Sequence, residues 1–450
     1  MKQKHWYAGA ALVLTLALTA CSSGTAGTGA TTTAAAAPTT TAAAAPTTTS
    51  AAATSAPTTQ PAASNVTLSF MSNVVGTQSD VLGQIVQQFT TDTGIKVDFS
   101  APGADYESLM ATKMASGDMP DVFTTHGWSV IRYANFLTPI NDQPFFSQIS
   151  PQIKSVITAA NGDVYVLPAD ADIAGIVYNE DVLTKAGVDA ASLTTWAKFT
   201  EALAKIKDSG VTPLATGGKD TWMMGQFGDW IAPSFFITND ADNQRDALAK
   251  GTFDAATWEK VAQLLADWTK AGFFNPDALT ADYNAATTAI ATGQSAFAFI
   301  GNAHIVDAHK VNPDAKLGMM PIPAATDADT PSLIAGERLA VGVWKDSKNK
   351  DAALQLLNYL AKPENVKKLA EASGSPAGLT GVSPSLGDIQ TYLTKYASIR
   401  TFPYFDRAYL PNGMWDVMCA TNADVIAGKA NAVKQAGVTM QQSFQDKFQG

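Results

Sequence analysis

Residues 66–100 read VTLSFMSNVVGTQSDVLGQIVQQFTTDTGIKVDFS, and three hydrophobic periods succeed one another within them. Val66, Leu68 and Phe70 alternate, as one face of a strand does. Val81, Leu82, Ile85, Val86 and Phe89 then recur at helical spacing, with Ser79 as the expected N-cap and Gly94 as the stop. Ile95, Val97 and Phe99 alternate again, so the stretch predicts a β-α-β unit. The pattern continues: Tyr106, Leu109, Met110, Lys113 and Met114 predict a second helix ended by Gly117, and Val122–Phe123 a short strand after Pro120-Asp121. Strands and helices alternating at this pace imply an α/β fold, with a mainly parallel sheet covered on both faces.

Downstream, 164–167 and 173–178 predict strands around the polar turn Pro168-Ala169-Asp170-Ala171-Asp172. Helices are expected around Trp196, Phe199, Leu203 and Ile206, and around Trp258, Val261, Leu264, Leu265 and Trp268, which places Trp196, Trp258 and Trp268 in the core. Further strands are expected at 296–300, 317–322 and 339–344, and an amphipathic helix at 351–361. From Ser383 onward the pattern is mixed, with helical segments around 389–396 and 414–426.

The chain has 450 residues and a formal charge of −10, from 30 basic and 40 acidic side chains. Lys2 and Lys4 begin a short leader whose apolar run, 8–20, falls short of the roughly 20 residues a spanning helix needs. It reads as a signal peptide, and Leu18-Thr19-Ala20-Cys21 resembles the bacterial lipoprotein box, in which the Cys is acylated and becomes the new N-terminus. Residues 22–64 are almost wholly Ala, Thr, Ser, Gly and Pro. Such a segment buries too little apolar surface to offset its ordering entropy and is expected to be a disordered tether, with a full extension of about 150 Å. What remains, 65–450, suffices for two domains.

The acidic body has no basic stripe, which argues against a nucleic-acid partner. Its one thiol, Cys419, excludes an internal disulfide and a thiolate metal site. No metal or cofactor is expected: His304 and His309, five residues apart, would face different ways on a helix. Gly374-Ser375-Pro376-Ala377-Gly378 departs from a nucleophile elbow by its Pro, and Gly217-Gly218-Lys219-Asp220 lacks the ends of a phosphate-binding loop. A glycosidase needs only two suitably spaced carboxylates, so that class stays open.

Eight strings carry a resemblance: GIKVDF (94–99), ASGDMPDVF (115–123), NGDVYVLP (161–168), GIVYNEDVLTKAG (175–187), TWAKFTEALAKIKDSGVTPL (195–214), GQSAFAFIG (293–301), GMMPIP (318–323) and SKNKDAALQLLNYLA (347–361). In this order and spacing the chain is similar to family 1 extracellular solute-binding proteins, the sugar-binding receptors of bacterial ABC importers. The match is good over 65–375 and loose beyond. The resemblance implies a two-lobed, type II periplasmic-binding-protein-like fold that closes on a ligand by hinge motion. It places 65–168 with 324–375 in one lobe and 173–320 with 380–450 in the other, with crossings near 168–172, 321–324 and 376–382. It also implies a monomeric, non-enzymatic receptor, lipid-anchored through Cys21 at the extracellular face of the membrane, whose partners are a neutral sugar and a membrane permease.

A sugar site needs aromatic planes for ring faces and paired polar groups for hydroxyls, gathered at strand C-termini. The candidates are Asn73 after the first strand; Thr125, His126 and Trp128 after the strand at 122–123; and Asp170 and Asp172 in the crossing segment. Trp222 and Trp230 join them from a stretch that reads as a loop through Gly225 and Gly228. Asn302 and His304 flank Ala303, where many relatives carry a stacking Trp, and Glu337 and Arg338 precede a strand. Several have a plain alternative: a cap for Asn73, core packing for the Trp residues, hinge amides for the Asp pair, and mutual neutralisation for Glu337 and Arg338. Tyr404, Asp406 and Trp415 lie in the loosely matched tail. The sequence leaves open an anchored glycoside hydrolase, a surface adhesin, and a receptor for a polyol, glycerophosphodiester or aminosugar.

Overall fold

The computed structural model describes residues 66–159 and 161–448. The leader, Cys21 and the tether lie outside the described residues. Strand β1 (Thr67–Met71) leads through helix α1 (Gly76–Thr93) to β2 (Lys96–Ser100), and helix α2 (Tyr106–Ser116) leads to β3 (Val122–Thr124). β1 runs parallel to both β2 and β3, with Phe70 opposite Phe99 and Val122. α1 buries Leu82, Ile85, Val86 and Phe89, and ends at Gly94 in the left-handed conformation, φ 75°, whose N–H donates to Thr90 O. It begins at Gly76, however, so Ser79 lies inside the helix and Val75 stands at the cap position.

β4 (Val166–Pro168), β5 (Ala171–Ala174) and β6 (Ile176–Asn179) follow within a few residues, yet each belongs to a different sheet. The single strand expected at 173–178 is broken at Gly175, where a Cβ would overlap the backbone carbonyl of Met320. The remaining strands are β7 (Thr212–Ala215), β8 (Ser295–Ala298), β9 (Leu317–Met320), β10 (Leu333–Glu337), β11 (Ala340–Val343) and β12 (Thr401–Pro403). They form a five-stranded sheet β2-β1-β3-β11-β4, a four-stranded sheet β7-β8-β6-β9, and a three-stranded sheet β12-β10-β5, of which β5 and β10 fall where the chain passes between the two large sheets.

The sheets are mixed rather than mainly parallel. β11 is antiparallel to β3 and β4, and β6 is antiparallel to β8 and β9. These two strands bring the chain in from the other large sheet, so they run against strands laid down by local β-α-β turns. β10 and β12 escape a pattern reading because long-range pairing makes them: Gly336 lies opposite Asp172, and Ile334 opposite Phe402. Gly336 and Glu337 are therefore strand residues, with Arg338 in the bend before β11. Ile322 and Ala324 bridge Ser332 and Thr195, and after β10 the chain enters the five-stranded sheet at β11.

Residues 222–236, read as a loop, form a helix, Trp222–Phe236. Gly225 and Gly228 serve close helix contact with Met414–Ile426: a Cβ would lie 2.7 Å from Cys419 Sγ at the first and 2.7 Å from Asn422 Nδ2 at the second. This helix adds Trp230 to an aromatic core of Trp196, Phe199, Trp268, Phe297 and Phe299, and Trp258 is buried as well. Trp230 is fully enclosed, 6.0 Å from Phe299, so the ring expected to face a ligand is a core ring.

Gly175→Ala forces carbon into a backbone carbonyl at the β5–β6 junction, and overpacking of this kind costs about 1–3 kcal/mol. Urea unfolding is expected to show that loss; an unchanged midpoint would mean that the junction has room the contact denies.

Candidate functional site

A cavity of about 260 Å³ opens where the loops of the two large sheets face each other. One wall comes from the five-stranded side: Asn73–Val75 after β1, Gly103 to Ser108 at the start of α2, and His126 after β3. The other comes from the four-stranded side: Thr221, Trp222 and Gln226 at the start of the 222–236 helix, Tyr283, and Ile300, Gly301 and Ala303 after β8. Asp172 and Arg338 lie on its lining between them, with Tyr404, Arg407, Trp415 and Asp416 from the C-terminal segment. Loops at strand ends converge here because strand pairing fixes the frame while the connecting segments stay free to vary.

Of the candidates, Asn73, His126, Asp172, Trp222 and Arg338 line the cavity. Asn73 donates its backbone N–H to Thr124 Oγ1 at 2.9 Å, and its Oδ1 has no partner among the described residues. Asp172 accepts the Tyr404 hydroxyl. Burial drives the Tyr404 hydroxyl far above its usual range, and the Asp172 charge adds to the effect, so the phenol stays a donor. Burial works against the charge of Arg338, but Asp172 and Asp170 outweigh it and raise its pKa. Arg338 Nη1 has no partner among the described residues. Trp222 is half-buried, with Tyr283 beside it at 5.8 Å between ring centres.

His126 has a left-handed backbone, φ 50°, the sparsely populated region for a non-glycine residue. Its Nδ1 lies 2.9 Å from Glu107 Oε1, and Arg132 Nη1 donates to Glu107 Oε2 at 2.5 Å. Burial disfavours the Glu107 charge, yet His126 and Arg132 together hold its pKa below the usual value; burial lowers that of His126 despite Glu107. Both Glu107 oxygens are thus engaged.

The remaining candidates sit behind the cavity. Trp128 is packed beneath the loop, 6.0 Å from Trp415, with the Arg132 guanidinium 4.1 Å above its ring. Thr125 donates its N–H to Ala340 O at 2.9 Å. Asp170 is fully buried and accepts from Leu339 N at 2.8 Å and from Gln78 Nε2 at 2.6 Å. Asn302 Nδ2 donates to Ile173 O at 2.9 Å, and Glu337 Oε1 accepts from Ser129 N at 3.0 Å. Sequence reading passed over Tyr106, Glu107, Gln226, Tyr283 and Arg407. The density of rings and charges in PYFDRAY (403–409) is a signal that could have led to Arg407. The others occupy ordinary helix positions. Among the described residues no group of three or more His, Cys, Asp or Glu can hold a metal ion.

His304 is fully buried in the helix Ala303–Val311, 5.4 Å from the Tyr283 ring, and neither ring nitrogen has a hydrogen-bond partner among the described residues. Burial lowers its pKa to about 4, with Asp307 opposing. A depressed histidine pKa means that the unfolded chain binds the proton first. The stability His304 contributes is therefore complete above pH 6.5 and declines as pH falls toward 4, by up to about 3 kcal/mol at 1.36 kcal/mol per unit. Urea titrations across this window are expected to show a steeper acid loss for wild type than for His304→Phe; parallel curves would count against a neutral buried imidazole.

Comparison with known proteins places this geometry. Residues 76–367 match the family described as bacterial extracellular solute-binding protein. The melibiose/raffinose/stachyose-binding protein MelE of Bacillus subtilis is 32% identical over 366 residues, covering 80% of this chain and 85% of MelE. The sn-glycerol-3-phosphate-binding periplasmic protein UgpB of Escherichia coli K12 is 24% identical over 333 residues, 70% of this chain and 74% of UgpB. Among solved structures, a Bacillus licheniformis sugar transporter in complex with stachyose superposes with a TM-score of 0.80 at 35% identity, covering 85% of this chain and all of that one. RafE in complex with raffinose shares the fold, with a TM-score of 0.71 at 19% identity over 85% of this chain and all of that one. The two-lobed α/β architecture is that of these receptors, and the chain belongs to the bacterial extracellular solute-binding protein family.

Proposed function

We propose that this protein is the sugar receptor of a bacterial ABC importer and that its ligands are raffinose-type oligosaccharides: melibiose, raffinose and stachyose. The observation that carries the reading is the cavity, which joins the aromatic surfaces of Trp222, Tyr283 and Trp415 to the polar groups of Asp172, Arg338 and Asn73. Rings stack on the apolar faces of pyranoses, while a carboxylate and a guanidinium bind pairs of hydroxyls. The ligands named for MelE and for the stachyose complex support the sugar class.

The charge balance favours a neutral ligand over a glycerophosphate of the kind UgpB binds. The lining carboxylates Glu107, Asp172 and Asp416 outnumber the lining guanidiniums Arg338 and Arg407. Arg407 is further engaged by Glu337 O at 2.6 Å and lies 3.9 Å over the Tyr404 ring. Hydrolysis finds little support. Glu107 is held by His126 and Arg132, and Asp172 takes the Tyr404 hydroxyl, which leaves Asp416 without a second unengaged carboxylate among the described lining residues.

In this reading the body is a monomer, tethered by 22–64 to an acylated Cys21 on the outer face of the membrane. Its lobes are 65–168 with 324–375 and 173–320 with 380–450. Closure about the crossings encloses the sugar, and the permease receives it unaltered.

Thermal unfolding of the full chain with melibiose, raffinose, stachyose, maltose and sn-glycerol-3-phosphate tests the ligand class. At one hundred times Kd a true ligand stabilises by about 2.7 kcal/mol. Raffinose-type sugars are expected to raise Tm and to be recovered intact; a response to the phosphate alone, or recovery of cleaved sugar, overturns the reading. Trp222→Ala is expected to weaken raffinose binding at least tenfold by titration calorimetry, and an unchanged Kd would move the ring-stacking surface elsewhere. Cys21→Ser is expected to release the protein into the medium, and retention in the membrane fraction would refute the anchor.

A further inference from the structure

α1 spans 18 residues and makes no side-chain cap from its own N-terminus, because Val75 stands where Ser, Thr, Asp or Asn would. The carboxylate that serves it is Asp307, 230 positions further along, in the helix Ala303–Val311. Asp307 Oδ1 accepts from Thr77 N at 2.9 Å and from Thr77 Oγ1 at 2.5 Å. Its Oδ2 accepts from the Tyr283 hydroxyl at 2.7 Å. Gly76 has φ 61° and no side chain, and a Cβ there would overlap the carboxylate, so the chain is shaped to let Asp307 in.

The partners belong to opposite sides of the molecule. α1 joins β1 to β2 in the five-stranded sheet, while the helix Ala303–Val311 joins β8 to β9 in the four-stranded sheet. They are also partners of the cavity. Asn73, Val74 and Val75 line one wall immediately before Gly76, and Tyr283 lines the other. An anion at a helix N-terminus gains from the unpaired N–H groups and the helix dipole, more so when partly sheltered from water. The nearby exposed pair Lys310–Asp80, 3.5 Å apart, adds little.

We propose that Asp307 is a positioning residue that fastens the two cavity walls to each other from behind, so that releasing the sugar requires this carboxylate to leave α1. This rests on the sugar-receptor reading above. Asp307 does not touch the sugar. It sets the spacing between the Asn73–Val75 loop and the Tyr283 ring, and through them the lifetime of the closed complex.

The experiment compares wild type, Asp307→Ala and Thr77→Val as full chains. Stopped-flow binding of raffinose is expected to show Kd raised about tenfold by the first and about threefold by the second, with the change in the dissociation rate. Thr77 lies outside the cavity lining, so this variant keeps the test alive if Asp307→Ala does not fold. Lowered Tm with unchanged Kd in both variants would make Asp307 a cap and nothing more, and overturns the proposal. Hydrogen exchange on the ligand-free proteins gives a readout that needs no sugar: amides of 77–80 and of 283–287 are expected to lose protection together, in whichever of the two variants folds. Loss confined to α1 overturns the proposal. Failure of wild type to bind any raffinose-type sugar would strike the ligand class, and the exchange pattern would still decide the role of Asp307.

Discussion

Asp170 is a carboxylate without exposed surface at the place where the chain leaves the five-stranded sheet. A buried charge is tolerated only when hydrogen bonds and an opposite charge replace the water it has lost. Here Leu339 N and Gln78 Nε2 take its two oxygens. Burial raises its pKa, and Arg338 and the Leu339 amide pull the other way. Leu339 sits between β10 and β11, and Asp170 itself bridges Ala377, so one residue gathers three passages of the chain. Removing any partner would strand the charge, which is why this point can act as a fixed pivot for everything on either side.

The cavity inherits its order from that pivot. Arg338 lies between Glu337, the last residue of β10, and Leu339, whose amide Asp170 holds; Asp172 lies two residues beyond Asp170, opposite Gly336. Asp172 is therefore carried on paired backbone, and Arg338 on the two-residue bend that joins two paired strands. A ligand that meets groups already oriented loses less conformational freedom on binding, and more of its contact energy appears as affinity. The aromatic residues come from a different source. Trp222 and Trp415 are brought together by two helices that touch through Gly225 and Gly228, so the breadth of the aromatic surface depends on two missing side chains.

Several features were legible without coordinates because their physics is local. The β-α-β opening follows from hydrophobic spacing and from Gly94, whose positive φ ends α1 as its sequence suggests. Trp196, Trp258 and Trp268 fall on regular stripes and are buried. The misreadings share one cause. Gly225 and Gly228 look like loop residues until a partner helix stands against them, Ser79 looks like a cap until Asp307 takes that part, and residues 173–178 look like one strand until Met320 meets Gly175. In each case a distant segment decided a local question.

The amino-acid order alone determines that this is an α/β body behind a charge-free segment of mostly Ala, Thr, Ser, Gly and Pro, and that its strings belong to a family of solute receptors. Those properties depend on composition and on spacings of a few residues, and both survive without a fold. Which side chains meet in the cavity was decided only by tertiary structure. Trp222 and Trp230 sit in the same stretch with similar neighbours, yet one lines the cavity and the other lies in the aromatic core. Eight residues at 3.6 per turn leave them only about 80° apart around one helix, so periodicity does not separate them: Trp222 opens the helix at the cavity wall, while Trp230, two turns on, is enclosed by packing against Phe299.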